Sequence, residues 1–492
     1  MTLRFGTAGL RGPVGDGPDR MNVPVVTRAT AGLARWLTDH GHGGGTVVVG
    51  RDARTGSADF FAAAAEVLAA AGFDVVALPR PLPTPVTAFA VRELGAVAGV
   101  QITASHNPAA DNGYKVYLSG GAQLISPADR EIEAAIDAAP DAAQIPRVTV
   151  VTSGEEIVDR YLARVATLPR SRHRDVRIAL TPLHGVGGET AVAALRAAGF
   201  DDVHVVPSQF APDPAFPTVA FPNPEEPGAA DALLDLAASV DADVALALDP
   251  DADRCAVGVP TADGWRMLRG DETGVLLGDR ILDSAPHGSL VATTIVSSTL
   301  LGKVAAARGA RFARTLTGFK WLARAGDGLV YAYEEAIGHC VDPDAVRDKD
   351  GVATAVVVAD YVAELKASGR TLLDALDDLY REFGIHLGGQ VSLRVDDLQR
   401  IDAIMANVRS APPQTLADEP VTVTDLATVE GPSNTDAIVF EGPAVRVVVR
   451  PSGTEPKLKF YLEVVAHGDR SAAEAKLGAL RTWAVTVGDA VS

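Results

Sequence analysis

Three stretches of the chain repeat one pattern of apolar and polar positions. They are "TVVVGRDARTGSADFFAAAAEVLAAAGFDVVAL" from Thr46, "VRIALTPLHGVGGETAVAALRAAGFDDVHVV" from Val176, and a weaker copy, "LVATTIVSSTLLGKVAAARGARFARTL", from Leu290. Each opens with a short β-branched apolar run, passes a polar or glycine-bearing turn, and enters an Ala/Leu-rich stretch with helical spacing. Each helical stretch stops at a glycine (Gly72, Gly199, Gly309), as a C-terminal cap requires, and a second strand-like run follows. The pattern predicts strand–helix–strand units and therefore α/β domains with parallel strands.

The texture changes further on. "FAPDPAFPTVAFPNPEEPG", from Phe210, is too proline-rich for regular structure and reads as a long loop. From "YREFGIHLGGQVSLRV" at Tyr380 a different region begins. There "AIVFEGPAVRVVVRPSGTEPKLKFYLEVVA" alternates in strand fashion around a turn, which predicts a small antiparallel α+β domain. Linker-like segments near Ala139 and Thr167 close the first unit. The expected domains are 1–168, 169–275, 276–388 and 389–492.

Composition narrows the class. A chain of 492 residues with 47% apolar content supports several cores. Its first residues lack the apolar stretch of a signal peptide, and no apolar run approaches the roughly 18 residues of a membrane span. Two cysteines, Cys255 and Cys340, are too few for a disulfide framework. The expectation is a cytoplasmic protein with no membrane partner. A formal charge of −19 argues against nucleic-acid binding. A phosphorylated substrate would need cations concentrated locally, and Arg11, Arg51, Arg254, Lys349 and Arg450 all lie in turn-forming segments.

The candidate chemistry sits at strand ends. The apolar run Val244–Leu248 leads straight into "DPDADRC", where Asp249, Asp251 and Asp253 alternate and so project to one side of an extended backbone. Three such carboxylates repel one another unless a cation holds them, and oxygen-only ligands suit a hard ion such as Mg²⁺. An EF-hand would need glycine and glutamate where Arg254 and Pro260 stand. Near the C-terminus, "RPSGTEP" offers the planar fork of Arg450 and the hydroxyls of Ser452 and Thr454. Gly453 there lets the backbone approach an anion, and Lys457 and Lys459 follow. "TASHNP" contains Ser105 beside His106. A hydrolase would want its base from elsewhere in the chain, and no G-x-S-x-G elbow is present. A serine accompanied by a metal cluster and a phosphate loop points to phosphoryl transfer.

"TASHNP", "DPDADR", "EEAIGH" and "RPSGTEP" occur in the order and approximate spacing of the α-D-phosphohexomutases, the phosphoglucomutase/phosphomannomutase superfamily. "FGTAGLRG", "NGYKVY", "TGFKWL" and "DKDG" fit as well, and the whole chain looks most like the branch with the phosphoglucomutase-2-type enzymes. The resemblance implies three related mixed α/β domains plus a C-terminal α+β domain around a central cleft, in agreement with the repeat.

It further implies a phosphosugar mutase that moves a phosphoryl group between C1 and C6 of glucose or mannose phosphate. Ser105 would be carried as phosphoserine, a bisphosphorylated sugar would form, and glucose 1,6-bisphosphate or a relative would act as activator. Asp249, Asp251 and Asp253 would hold Mg²⁺ with a phosphoserine oxygen from Ser105, beside Arg254. Lys115, His106 and His339 occupy candidate proton-transfer positions, and Arg11 and Lys349 match phosphate contacts. Thr317, Gly318, Phe319, Lys320, Glu334 and Glu335 fall in the substrate loops, and Arg450, Ser452, Gly453 and Thr454 in the loop for the untransferred phosphate. The expected partners are small sugar phosphates, with the chain a monomer or weak homodimer.

One departure stands out. Many hexose-specific members read G-E-x-S-G-H, and aligning Gly338-His339 puts Glu335 on the glutamate and Ile337 on the serine. Isoleucine cannot make the serine's hydrogen bond. Alternatives are therefore a phosphopentomutase, a sugar 1,6-bisphosphate synthase, a metal-dependent phosphatase or a silent sugar-phosphate-binding protein.

Overall fold

The computed structural model describes residues 3–6, 9–395, 398–431, 434–452 and 457–489. Two compact units emerge, one of Met1–Thr273 with Leu329–Leu372 and one of Gly274–Gly328 with Leu373–Ser492.

The first unit holds two sheets of the same design. Strands β1 (Leu10–Pro13), β2 (Thr46–Arg51), β3 (Asp74–Ala77), β4 (Ala98–Ile102), β5 (Asp111–Leu118) and β6 (Ala122–Gln123) make the first, in order β1-β5-β4-β2-β3 with β6 on β5. Strands β7 (Ile178–Thr181), β8 (Val203–Val205), β9 (Val244–Leu248), β10 (Cys255–Thr261) and β11 (Gly264–Met267) make the second, in order β11-β10-β9-β7-β8. In each, three strands run parallel (β3-β2-β4 and β8-β7-β9) and an antiparallel strand follows, β5 on β4 and β10 on β9. Helices Ser57–Ala70 and Gly187–Ala197 make the crossovers that parallel pairing demands.

The first two predicted repeats are therefore the openings of these two sheets. The third is present too, in the second unit: Leu290–Thr294 pairs in parallel with Arg311–Thr315 across helix Leu300–Ala307. All three helices end at the predicted glycines, with φ of 88° at Gly72, 90° at Gly199 and 68° at Gly309. That left-handed backbone is cheap only without a Cβ. The segment 211–230 is free of helix and strand, as its prolines required.

Every residue of β4 and β9 is buried because both faces are covered; β9 reads as a continuous apolar run, and β4 is interrupted by Gln101, whose amide bonds to Thr87 and to the Leu82 carbonyl. Their C-terminal ends are equivalent points of the two repeats. The loop bearing Ser105 follows one, and the loop bearing Asp249, Asp251 and Asp253 follows the other.

The C-terminal region is the expected antiparallel α+β arrangement. Ile385–Arg394, Lys457–Ala466, Val445–Pro451, Ile438–Glu441 and Thr422–Asp425 pair in that order, with helices Leu398–Ser410 and Arg470–Asp489. Its core includes Phe440 and Phe460, both set edge-on to Trp483 at ring separations of 5.6 and 5.8 Å.

Leu248, the last residue of β9, is fully buried. Leu248→Ala is expected to lower stability by about 2–5 kcal/mol through lost contacts and a residual cavity. Urea unfolding followed by tryptophan fluorescence checks this.

Candidate active site

Ser105 stands in left-handed backbone, with φ of 52°. That conformation costs a non-glycine residue about 1–2 kcal/mol and persists only where its surroundings over-determine it. Arg54 supplies much of that constraint. It is 4% exposed, and its guanidinium donates to the carbonyl oxygens of Ser105 (2.6 Å), Asn107 (2.6 Å), Pro108 (2.8 Å) and Asp111 (3.2 Å). The fork is itself fixed by Asp52 at 3.4 Å and by the ring of Phe216, 5.0 Å below. Thr103 Oγ1 accepts from the Ser105 amide at 2.9 Å. The result is a serine displayed at a fixed point on a turn.

Opposite it lie the three aspartates, all fully buried, with one ligand atom from each within 4.8 Å of the others. Each carboxylate has at least one oxygen committed, and Asp249 has both. Asp249 Oδ1 accepts from the Arg254 amide (3.0 Å), Asp251 Oδ2 from the Thr84 hydroxyl (2.6 Å), and Asp253 Oδ2 from Lys115 Nζ (2.9 Å). Ser105 Oγ donates to Asp249 Oδ2 at 3.0 Å. Asp251 Oδ1 and Asp253 Oδ1 are buried without a hydrogen-bond partner.

Burial and then the charges of Asp251 and Asp253 push Asp249 well above the ordinary carboxylate range. Burial acts the same way on Asp253, but Lys115, Lys349 and Arg254 outweigh it and hold that carboxyl low. An all-oxygen set with two orphaned buried acceptors fits Mg²⁺, whose charge would offset the repulsion.

The cations converge on the same place. Lys115 projects from β5 and Lys349 from the "DKDG" segment, 7% and 6% exposed; Lys349 Nζ lies 3.3 Å from Asp253 Oδ2. Burial works against the Lys349 ammonium, but Asp253, Asp348 and Glu334 hold it firmly protonated. Arg254 donates to the Ala336 carbonyl (3.1 Å) and faces Glu334 at 3.6 Å. Arg11, on β1, donates to Asn107 Oδ1 at 3.2 Å. His106 Nδ1 is 3.2 Å from Ser105 Oγ. Burial, then Arg254 and Arg11, depress the proton affinity of His106 and keep it neutral.

Other expected residues fall differently. His339 is fully enclosed: its Nδ1 meets Tyr331 Oη at 3.0 Å and its ring lies near those of Tyr331 and Tyr333. Burial brings its pKa down to about 3, so the imidazole is neutral at working pH. His339 thus packs within its hairpin through Nδ1, while its Nε2 is buried without a hydrogen-bond partner. Arg51 lies over Phe61 at 5.7 Å, a stacking position.

Ile337 is 1% exposed at φ 54°, and its side chain joins a core with Ala179, Leu233, Ala245 and Ala247. It turns into the second sheet's packing instead of replacing a sugar-facing serine. The loop carrying it is pinned closely, since a Cβ on Gly270 would lie 1.9 Å from the Glu335 carbonyl oxygen. Glu334 is buried and its carboxyl is pushed up by burial; Glu335 follows it, half-buried.

Thr317, Gly318, Phe319 and Lys320 belong to the second unit, where Gly318 at φ 106° leads into the turn of helix Phe319–Leu322. Arg450 sits at the end of Val445–Pro451, opposite Lys459, and the Ser452 amide donates to the Lys457 carbonyl at 2.8 Å. Gly453 and Thr454 lie outside the described residues.

Arg54, Asp52 and Thr84 escaped the sequence reading. "GRDARTGS" looks like an ordinary polar turn after a strand, and nothing local shows that Arg54 reaches a loop some fifty positions downstream.

Comparison with known proteins gives a consistent result. Phosphoglucomutase/phosphomannomutase family models match in order: alpha/beta/alpha domain I over residues 2–142, domain II over 159–263, domain III over 269–383 and the C-terminal domain over 391–476. A probable phosphomannomutase of Haemophilus influenzae is 42% identical over 453 residues, covering 90% of this chain and 93% of the relative. A phosphopentomutase of Mus musculus is 34% identical over 526 residues, covering 94% and 84%. The solved structure of a phosphoglucomutase/phosphomannomutase family protein from Burkholderia thailandensis shares the fold with a TM-score of 0.76 at 21% identity, over 99% of this chain and 97% of that one.

Arg54→Met removes four hydrogen bonds from the Ser105 loop. Amide hydrogen exchange across 104–111 is expected to accelerate at least about tenfold. Turnover should fall by roughly a hundredfold as the serine loses its position. Exchange mass spectrometry and steady-state kinetics read the two effects.

Proposed function

Because this chain belongs to the phosphoglucomutase/phosphomannomutase family, we propose that it moves a phosphoryl group between C1 and C6 of glucose or mannose phosphate, with Ser105 as the phosphoryl carrier. It is a phosphomutase of the isomerase class. One observation carries the assignment of roles: Ser105 Oγ lies 3.0 Å from Asp249 Oδ2, at the edge of three buried carboxylates with two unpartnered oxygens.

In this reading Ser105 enters the cycle phosphorylated. Its phosphorus is attacked by the free hydroxyl of a sugar monophosphate; the Ser105 O–P bond breaks, and a sugar bisphosphate forms. The bisphosphate turns over, and its other phosphoryl group returns to Ser105. Asp249, Asp251 and Asp253 would hold Mg²⁺, which when bound supplies positive charge for the transferring phosphoryl group. Arg254 and Arg11 flank the serine and supply fixed cations for the same charge.

The attacking hydroxyl must lose a proton. Lys115, 2.9 Å from Asp253, is the proposed acceptor, and to serve it must first release its own ammonium proton. His106 stays neutral beside Ser105, and His339 is enclosed. We propose Lys349, Glu334 and Glu335 as substrate contacts from the first unit. Thr317, Gly318, Phe319, Lys320, Arg450, Ser452, Gly453 and Thr454 are proposed as substrate contacts on the motifs they match, the last four for the phosphate not in transfer. The divisions at 168, 275 and 388 are the proposed domain borders.

A second reading, a phosphopentomutase, draws on the relative of that name.

The deciding experiment supplies glucose, mannose and ribose 1-phosphates with Mg²⁺ and a trace of sugar bisphosphate, and follows phosphate position by ³¹P NMR. Isomerised hexose phosphate is expected; inorganic phosphate without isomer would overturn the mutase reading, and exclusive turnover of ribose phosphate would select the second. Ser105→Ala is expected to lose roughly 10³-fold or more of the rate.

A further inference from the structure

Two buried lysines and two buried carboxylates close into a ring of alternating charge beside the aspartate cluster. Lys115 Nζ lies 2.9 Å from Asp253 and 4.0 Å from Asp348; Lys349 Nζ lies 3.3 Å from Asp253 and 3.6 Å from Asp348. Asp348 is fully buried. Its Oδ2 accepts from the Tyr117 hydroxyl and from Gln123 Nε2, both at 2.7 Å, and its Oδ1 accepts from the Lys349 amide at 2.8 Å. Tyr117 is on β5 two residues beyond Lys115, and Gln123 is on β6. The carboxylate is thus aimed by three donors from two segments. It is not one of the grouped acidic residues that can share an ion.

Asp253 has two tasks that conflict. Its Oδ2 neutralises both ammonium groups, while its Oδ1, which makes no hydrogen bond and has Arg254 Nε 3.8 Å away, is the oxygen left for a divalent ion. When the ion takes charge from Asp253, it also draws on Asp251, the other cluster carboxylate near Lys115 at 3.9 Å, while Lys349 keeps Glu334 nearby. Asp348 adds a carboxylate that lies within 4.0 Å of both ammoniums and stands outside the aspartate cluster.

We propose that Asp348 is a positioning residue: the alternate counter-ion that holds Lys115 and Lys349 in place when a divalent cation engages Asp253. The inference deepens the metal-dependent mutase reading and rests on its metal site. It follows from Coulomb's law at these separations and from the way outer partners tune the residues that bind a metal. A neutral amide in its place keeps the shape and loses the charge; its oxygen can still accept from the Lys349 amide, while its NH2 would donate to Tyr117 and to Gln123 once both are turned to accept.

The test is Mn²⁺ binding to the full-length protein by calorimetry, compared between the parent and Asp348→Asn. The substitution keeps shape and removes one charge. Mn²⁺ affinity is expected to fall about tenfold, although the altered residue is no ligand. A merely structural role would lower the unfolding temperature and leave the affinity of the folded protein unchanged. Affinity within twofold of the parent overturns the proposal. If Asp348→Asn does not fold, Tyr117→Phe decides: freeing one side of the carboxylate is expected to weaken Mn²⁺ about threefold, and unchanged binding overturns the idea. A parent protein that binds no Mn²⁺ sinks the metal reading itself, whereas normal Mn²⁺ linkage without mutase turnover sinks only the proposed reaction.

Discussion

Asp249, Asp251 and Asp253 are driven apart by their own charge, and much of the first unit can be understood as the apparatus that keeps them together. At an effective dielectric near 20, each ionised pair about 5 Å apart repels by about 3 kcal/mol. β9 delivers the three from a strand buried on both faces, so they cannot swing out to water. Thr84, Lys115 and the Arg254 amide each take one oxygen, and Lys349 and Arg254 add charge. What remains without a hydrogen bond, Asp251 Oδ1 and Asp253 Oδ1, is a demand for a cation built into the interior.

The same economy explains where the serine stands. A parallel strand ends its hydrogen bonding where the chain must turn away, and functional groups collect at such ends. The first and second sheets repeat this design, so the nucleophile loop and the metal loop occupy one position in two copies of a unit. Their meeting is secured by Thr84, whose amide and hydroxyl both bond to Asp251 and so tie a helix start of the first sheet to the metal loop of the second.

Periodicity and motif order made the architecture legible from the sequence. The apolar runs at Thr46, Val176 and Leu290, the stopping glycines and the alternation after Ile438 each correspond to an observed element, because local backbone preference and burial agree there. The chemistry-bearing side chains of the first unit could also be named, since strand alternation after Leu248 puts three carboxylates on one side. What the sequence hid were contacts made across long separations. Arg54 is one arginine among many until four carbonyls of a distant loop close around it. Ile337 looked like a missing hydrogen bond, yet its left-handed backbone turns the side chain into a core that only the folded second sheet supplies. His339 was legible as a motif residue, but its packing beside the rings of Tyr331 and Tyr333 was not.

Ser105 adopts a backbone conformation that favours glycine, and the loop accepts this because the hydroxyl has to be displayed. Selection for folding alone would therefore erode the site. A glycine at position 105 would relieve the left-handed strain, leave the carbonyl contacts with Arg54 intact, and give a protein at least as durable and chemically silent. Copies of this chain released from the need to turn over substrate should drift toward that residue first, so the identity of position 105 is a marker of whether such a copy still works.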